Sequence, residues 1–162
     1  MGQVEHAPVG VEHGELLERL YRQQGARMWR AVLAFSGDPE VANDAVAEAF
    51  AQALRRGEAI RELERWLWRT VFRIAADELK ERRRERPVSS EIAYEMEDPA
   101  RELVAALARL SPKQRAALVL HHAAGYLLRD VARMLDSTTG AVKVHLLRGR
   151  RRLRELLEES DG

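Results

Sequence analysis

The sequence predicts an all-α chain of two small helical domains joined by an acidic flexible linker, the second domain closing on a helix, a tight turn and a basic helix. Three observations carry that expectation. Apolar residues recur at spacings of three and four along most of the chain, and no stretch alternates in the manner of a strand. Residues 87–99, PVSSEIAYEMEDP, interrupt the periodicity with a proline at each end, two serines and four acids. From Lys143 to Arg154 the chain carries six basic residues and no acidic one, while Val142, Leu146, Gly149, Leu153 and Leu156 recur at helical spacing.

Composition narrows the class. In 162 residues, 46% hydrophobic and 33% charged, there is material for one domain or two small ones. Cysteine is absent, so disulfides and thiolate metal sites are excluded, and a reducing cytoplasm is the expected location. No apolar run approaches the roughly 20 residues of a membrane helix, and MGQVEHAPVG lacks the basic-then-apolar pattern of a secretory signal. The net charge of +1 conceals a division. Residues 1–86 hold fifteen bases and fifteen acids, residues 87–99 no base and four acids, and residues 100–162 twelve bases and seven acids. A polyanion is therefore expected at the C-terminal end first.

In chain order, residues 1–13 read as a mobile tail. Leu16, Leu17, Leu20, Met28, Val32 and Phe35 then mark a first helix, or helix pair, ending at Ser36 and Gly37. Asp38 and Pro39 restart the helix with a capping carboxylate and a proline whose missing amide would have lacked a partner anyway. The second helix runs to about Arg56 and is expected to bury Val41, Ala45, Val46, Ala49, Ala53 and Leu54. The third, RELERWLWRTVFRIAADELKERRRER, buries a stripe of Leu63, Leu67, Val71, Ile74 and Ala75 and stops before Pro87.

That third helix interleaves Trp66, Trp68 and Phe72 with Arg65, Arg69 and Arg73. Rings among cations suit single-stranded nucleic acid, whose bases stack while the backbone follows the charge. The same tryptophans also suit a core, and both readings stay open here, with Trp66 expected to be structural and Trp68 mixed. Beyond the linker, Asp98 and Pro99 open a helix bearing Leu103, Val104, Leu107 and Leu110. Ser111, Pro112 and Gln114 form a cap, a first-turn proline and a capping-box partner for the next, which ends near Gly125. LLRDVARML, Leu127 to Leu135, is a short amphipathic helix, and Thr138 caps a basic helix beginning at Thr139. Helix, tight turn and basic helix is the arrangement that lays its second helix in the major groove of DNA. A cationic face without interspersed acids favours a polyanion, because each neutralised phosphate releases condensed counterions.

With both halves read, the chain resembles an extracytoplasmic-function (ECF) sigma factor of bacterial RNA polymerase. LSPKQRAALVLHHAAGYLLRDVARMLDSTTGAVKVHLLRGRRRLREL is similar to that family's fourth-region domain. YRQQGARMWRAVLAFSGDPEVANDAVAEAF and RWLWRTVFRIAADELKERRR are similar to its second-region domain. The resemblance covers about residues 15–86 and 100–157, and divides the chain into a tail (1–13), a second-region-like domain (14–86), the linker (87–99) and a fourth-region-like helix-turn-helix domain (100–162).

The resemblance implies an alternative sigma factor that binds core RNA polymerase and directs initiation at promoters with particular −35 and −10 elements. It implies docking of Asp44, Glu48 and Phe50 on the clamp of the polymerase largest subunit. Binding of the melted −10 element falls to Trp66, Trp68, Arg69, Arg73, Lys80, Arg82, Arg83 and Arg84. Reading of the −35 element falls to Lys143, His145 and Arg148, with Thr138, Thr139, Gly140 and Ala141 approaching phosphates and Arg150, Arg151 and Arg152 following the backbone. It further implies an anti-sigma factor as partner, and neither cofactor nor metal. Arg73, Leu127 and His145 depart from the family pattern. They keep a sigma-like decoy that captures an anti-sigma factor in view beside a free-standing helix-turn-helix regulator. An enzyme is not expected: Asp44 and Glu48 share a face, but no histidine lies near them in sequence, and no phosphate-cradling glycine loop occurs.

Overall fold

The structure is a computed structural model that describes residues 9–85 and 98–162. Seven α-helices form among these residues: α1 (Val9–Ser36), α2 (Pro39–Arg56), α3 (Leu63–Glu85), α4 (Asp98–Ala108), α5 (Pro112–Leu118), α6 (Leu128–Met134) and α7 (Thr139–Asp161). A single 3₁₀ turn (Gly57–Ala59) joins α2 to α3, and a π-helical turn (Val119–Ala123) extends α5. No strand occurs among the described residues, as expected of an all-α chain.

Local chemistry sets most boundaries. Asp38 accepts from the Glu40 amide at 2.9 Å, and the Ser36 hydroxyl takes the Asp38 amide at 3.1 Å, so the corner between α1 and α2 satisfies its own polar groups. Gly37 at φ 69° makes that corner possible. At α5 both halves of the capping box form: Ser111 Oγ accepts from Gln114 N, and Gln114 Oε1 from Ser111 N. Asp136 ends α6 in the left-handed region at φ 53°, a conformation a short polar side chain tolerates. The Ser137 amide there reaches back to the Ala132 carbonyl at 2.8 Å, the bond that closes a helix whose next residue turns left-handed.

Helices α1, α2 and α3 pack on one another, and α4 to α7 form a second unit in which α7 lies against α4, α5 and α6. Gly149 allows the closest approach within it, since a Cβ there would stand 3.1 Å from Leu118 Cδ1. The two units share one continuous apolar cluster. Polar contacts reinforce the junction. Arg115, 2% exposed, donates from Nη1 to the Phe35 carbonyl at 2.7 Å. Arg27 Nη2 donates to the Ala124 carbonyl at 2.8 Å, and Arg65 pairs with Asp130 at 3.3 Å.

Three sequence expectations change and one open alternative closes. The tail does not extend to residue 13, because α1 begins at Val9 and buried His13 hydrogen-bonds the Ala53 carbonyl at 3.0 Å, fastening the first turns of α1 to the end of α2. The first segment is one helix and not a pair. Leu54 is 61% exposed, because Ala53 takes the core-facing position at that turn of α2. Leu103 is exposed on α4, where Ala106 and Leu107 face inward, with Leu110 buried just beyond its end. The proline-bounded linker lies outside the described residues apart from Asp98 and Pro99, which open α4, and residues 1–8 lie outside them too.

Candidate nucleic-acid interface

The basic helix α7 is fixed at its start by Thr138, whose Oγ1 accepts from the Ala141 amide at 3.1 Å. Thr138, Thr139 and Gly140 stand exposed at that end, with Ala141 half-buried. Val142, Leu146, Gly149 and Leu156 face the domain. The opposite face is cationic, and Lys143, Arg148 and Arg151 make no hydrogen bond or ion pair among the described residues. Arg150 differs: its Nε donates to His122 Nε2 at 3.2 Å. Burial, followed by the Arg150 charge and then His121, holds the His122 imidazole below its ordinary pKa, which keeps Nε2 available as an acceptor. Arg152 is half-buried and pairs with Glu155 at 3.4 Å. His145 is half-buried beside the exposed row. Sequence reasoning passed over Val144 and Leu147, which are 43% and 58% exposed on the same face. Their spacing of three, off the buried stripe, was the available signal.

The face expected for single-stranded DNA is smaller than the sequence suggests. Trp68 is 1% exposed, stacked on Phe72 with centroids 6.3 Å apart and edge-on to Tyr126 at 5.8 Å. It is therefore a core residue at the junction of the two units, and Trp66 is the half-buried ring, with the Arg56 guanidinium 5.6 Å over it. This reverses the expected assignment of the two tryptophans, because the second unit covers the side of α3 that carries Trp68. Arg82 also departs from expectation: it is tied to Asp38, Glu40 and Glu78 and so anchors α3 to the start of α2. Arg69, Arg73, Lys80 and Arg84 are exposed, with Arg73 near Gln52 at 3.4 Å, and the Arg83 side chain lies outside the described residues.

On α2, Asp44 and Glu48 are exposed one turn apart, and Phe50 is half-buried edge-on to Tyr21 at 5.2 Å. Glu48 accepts from Gln52 at 3.1 Å and Arg55 at 2.9 Å, and these bonds hold its carboxyl below the usual range. Asp44 lies against Glu78 of α3. Burial first, then the bond and charge of Asp44, push Glu78 up. Among the described residues no group of three possible metal ligands forms, and no helix is long and apolar enough to cross a membrane.

A capped basic helix, set by a tight turn behind a short helix and presenting unpaired cations outward, defines a helix-turn-helix module. The family described as Sigma-70, region 4 matches residues 100–153. The chain is 31% identical over 149 residues to the ECF RNA polymerase sigma factor SigM of Mycobacterium tuberculosis, a match spanning 86% of this chain and 76% of that one. It is 28% identical over 176 residues to the ECF RNA polymerase sigma factor BldN of Streptomyces coelicolor, spanning 98% of this chain and 66% of that one. Its fold is similar to the sigma factor RpoE solved with the anti-sigma factor NepR from Bartonella quintana, with TM-score 0.73, 23% identity, and coverage of 89% and 97% of the two chains. CnrH, solved with the cytosolic domain of CnrY, gives a TM-score of 0.74 at 21% identity, covering 93% of each chain.

The chain belongs to the ECF family of RNA polymerase sigma factors. It is an alternative sigma factor of promoter-specific transcription initiation. Because the similarity runs through both units, a free-standing regulator is not favoured.

Proposed function

We propose that the two units divide the promoter between them, α7 reading the −35 element in the major groove and the exposed face of α3 holding the melted −10 element. The observation that carries the −35 half is the trio Lys143, Arg148 and Arg151, outward and unpaired beyond a capped helix start. The free backbone amides at Thr139 and Gly140, beside the capped Ala141, approach a phosphate, and Lys143 and Arg148, within the first three turns, meet base edges. Arg150, Arg151 and Arg152 follow the backbone, with the existing partners of Arg150 and Arg152 exchanged for phosphate. His145 sits at the margin of the reading face. Single-strand contacts rest on Trp66, Arg69, Arg73, Lys80 and Arg84, while Trp68 and Arg82 shape that surface from behind.

Core RNA polymerase is the partner of α2. Asp44 is held against Glu78, and two carboxyl groups set together cost stability unless the negative charge is used, which suits a cationic surface on the polymerase clamp. Phe50 and Tyr21 supply the adjoining aromatic edge. An anti-sigma factor as a partner, a cytoplasmic location, and no catalysis by the chain itself complete the reading. The polymerase supplies the chemistry.

The test is −35 selection by the chain loaded on core polymerase, with Arg148→Ala and Arg151→Ala compared at two salt concentrations. Loss of a base-edge contact costs about 1–3 kcal/mol and relaxes one position of the selected element. Loss of a phosphate contact weakens all sequences alike and lowers the salt slope by about one. An unchanged selected sequence with Arg148→Ala would refute its role as a base reader.

A further inference from the structure

We infer that Leu147 reads a thymine methyl group in the −35 element, adding an apolar specificity-determining contact at the centre of a cationic face. The inference rests on the assignment of α7 to the −35 major groove and names what that helix selects there. Leu147 is 58% exposed, more than any other leucine of the second unit. At 3.6 residues per turn it follows Lys143 by one turn and Gly140 by two, and it precedes Arg151 by one. Those residues mark the midline of the outward face, so Leu147 lies on it with Arg148 alongside, and Val144, 43% exposed, one turn behind. The inward stripe of Val142, Leu146, Gly149 and Leu156 already supplies the packing of α7.

The chemistry of the groove decides what such a side chain meets. Guanine, cytosine and adenine present hydrogen-bonding edges there, and the thymine C5 methyl is the apolar feature. A leucine set against a polar edge desolvates it without returning a bond, so it disfavours those bases. Set against the methyl, it buries apolar surface on both partners. Lys143 and Arg148 read hydrogen-bonding edges beside it, while Arg150, Arg151 and Arg152 hold the backbone and carry little sequence information of their own. Leu147 therefore fixes one A·T pair within reach of Arg148.

Deoxyuridine keeps every hydrogen-bonding group of thymidine and lacks only the methyl. The experiment takes the element selected by the polymerase-loaded chain, replaces each thymine singly with uracil, and measures competition by each duplex. One replacement is expected to weaken binding about fourfold, the roughly 0.8 kcal/mol of one buried methyl-sized group converted at 1.4 kcal/mol per tenfold. Leu147→Ala, whose exposure leaves the melting curve of the free chain unchanged, binds thymine and uracil duplexes alike. Arg151→Ala weakens both and keeps the difference between them. An element without a fixed A·T pair, a parent chain indifferent to every uracil, or a Leu147→Ala variant that retains the penalty overturns the inference while leaving the −35 assignment of α7 standing. A loaded chain that selects no element overturns that assignment, and this inference with it.

Discussion

Arg115 offers a direct test of whether the two units are one packed body in the free chain. The residue is 2% exposed, and its guanidinium donates to the Phe35 carbonyl of α1 at 2.7 Å and lies 5.2 Å from the centre of the Phe35 ring. Arg115→Met keeps much of the aliphatic stem and removes the charge and that donor. A hydrogen bond from a charged group contributes about 1.5–3 kcal/mol, and a desolvated cation–π contact about 2 kcal/mol. Both belong to one group and do not simply add, so the expected loss is about 2–4 kcal/mol. At about 2–4 °C per kcal/mol for a chain of this size, thermal unfolding followed by circular dichroism should shift down by roughly 4–16 °C. Arg109→Met, an exposed arginine in the same unit, should melt like the parent. If Arg115→Met melts within about 1 °C of the parent, the junction contributes nothing in solution and the packing of α1 on the second unit is wrong.

Other expectations follow from the same contacts. Asp44→Asn should raise stability near pH 7 by about 0.2–1 kcal/mol while weakening capture of core polymerase, because Glu78 is pushed up in part by Asp44 and loses stability as pH rises through its native pKa. Urea unfolding and pull-down on the same variant check both halves, and a less stable variant that binds core polymerase normally refutes them. His122, depressed below its ordinary value, should make the chain less stable as pH falls below about 6.5, since the unfolded state then takes up a proton the native state resists. His122→Gln, which retains an acceptor for Arg150, should flatten that slope, and an NMR titration of His122 with a midpoint above 6.5 would contradict the reasoning. Trp68→Ala should cost about 3–5 kcal/mol of stability, as large core truncations do, whereas Trp66→Ala should instead lose about 1–3 kcal/mol of single-strand binding. Melting and binding measured on each variant separate the two roles.

What was legible in the sequence was local. Asp38 with Pro39, Ser111 with Gln114, and Thr138 each bond within a few residues of themselves, so their chemistry fixes a helix start wherever the rest of the chain goes. The cation run from Lys143 to Arg154 was equally plain, because α7 buries only its regular apolar stripe. Long-range contacts were not legible. His13 reaches Ala53 across 40 residues, and Arg82 reaches Asp38 across 44, so one left the expected tail and the other left the expected DNA face. Trp66 and Trp68 could not be ranked by periodicity, since what buries Trp68 is Tyr126 of the second unit. Leu147 was overlooked because an exposed leucine is ordinary until its neighbours on the helix surface are known to be unpaired cations.

The central claim is that this chain directs RNA polymerase to particular promoters, and in vitro transcription with core polymerase on a randomised promoter library tests it most directly. The account predicts initiation at defined start sites, from templates sharing a −35 and a −10 element at fixed spacing, with the signal lost on charge reversal at Asp44 and Glu48. Transcription no different from core polymerase alone, under conditions where the chain is folded and bound to the enzyme, would contradict it.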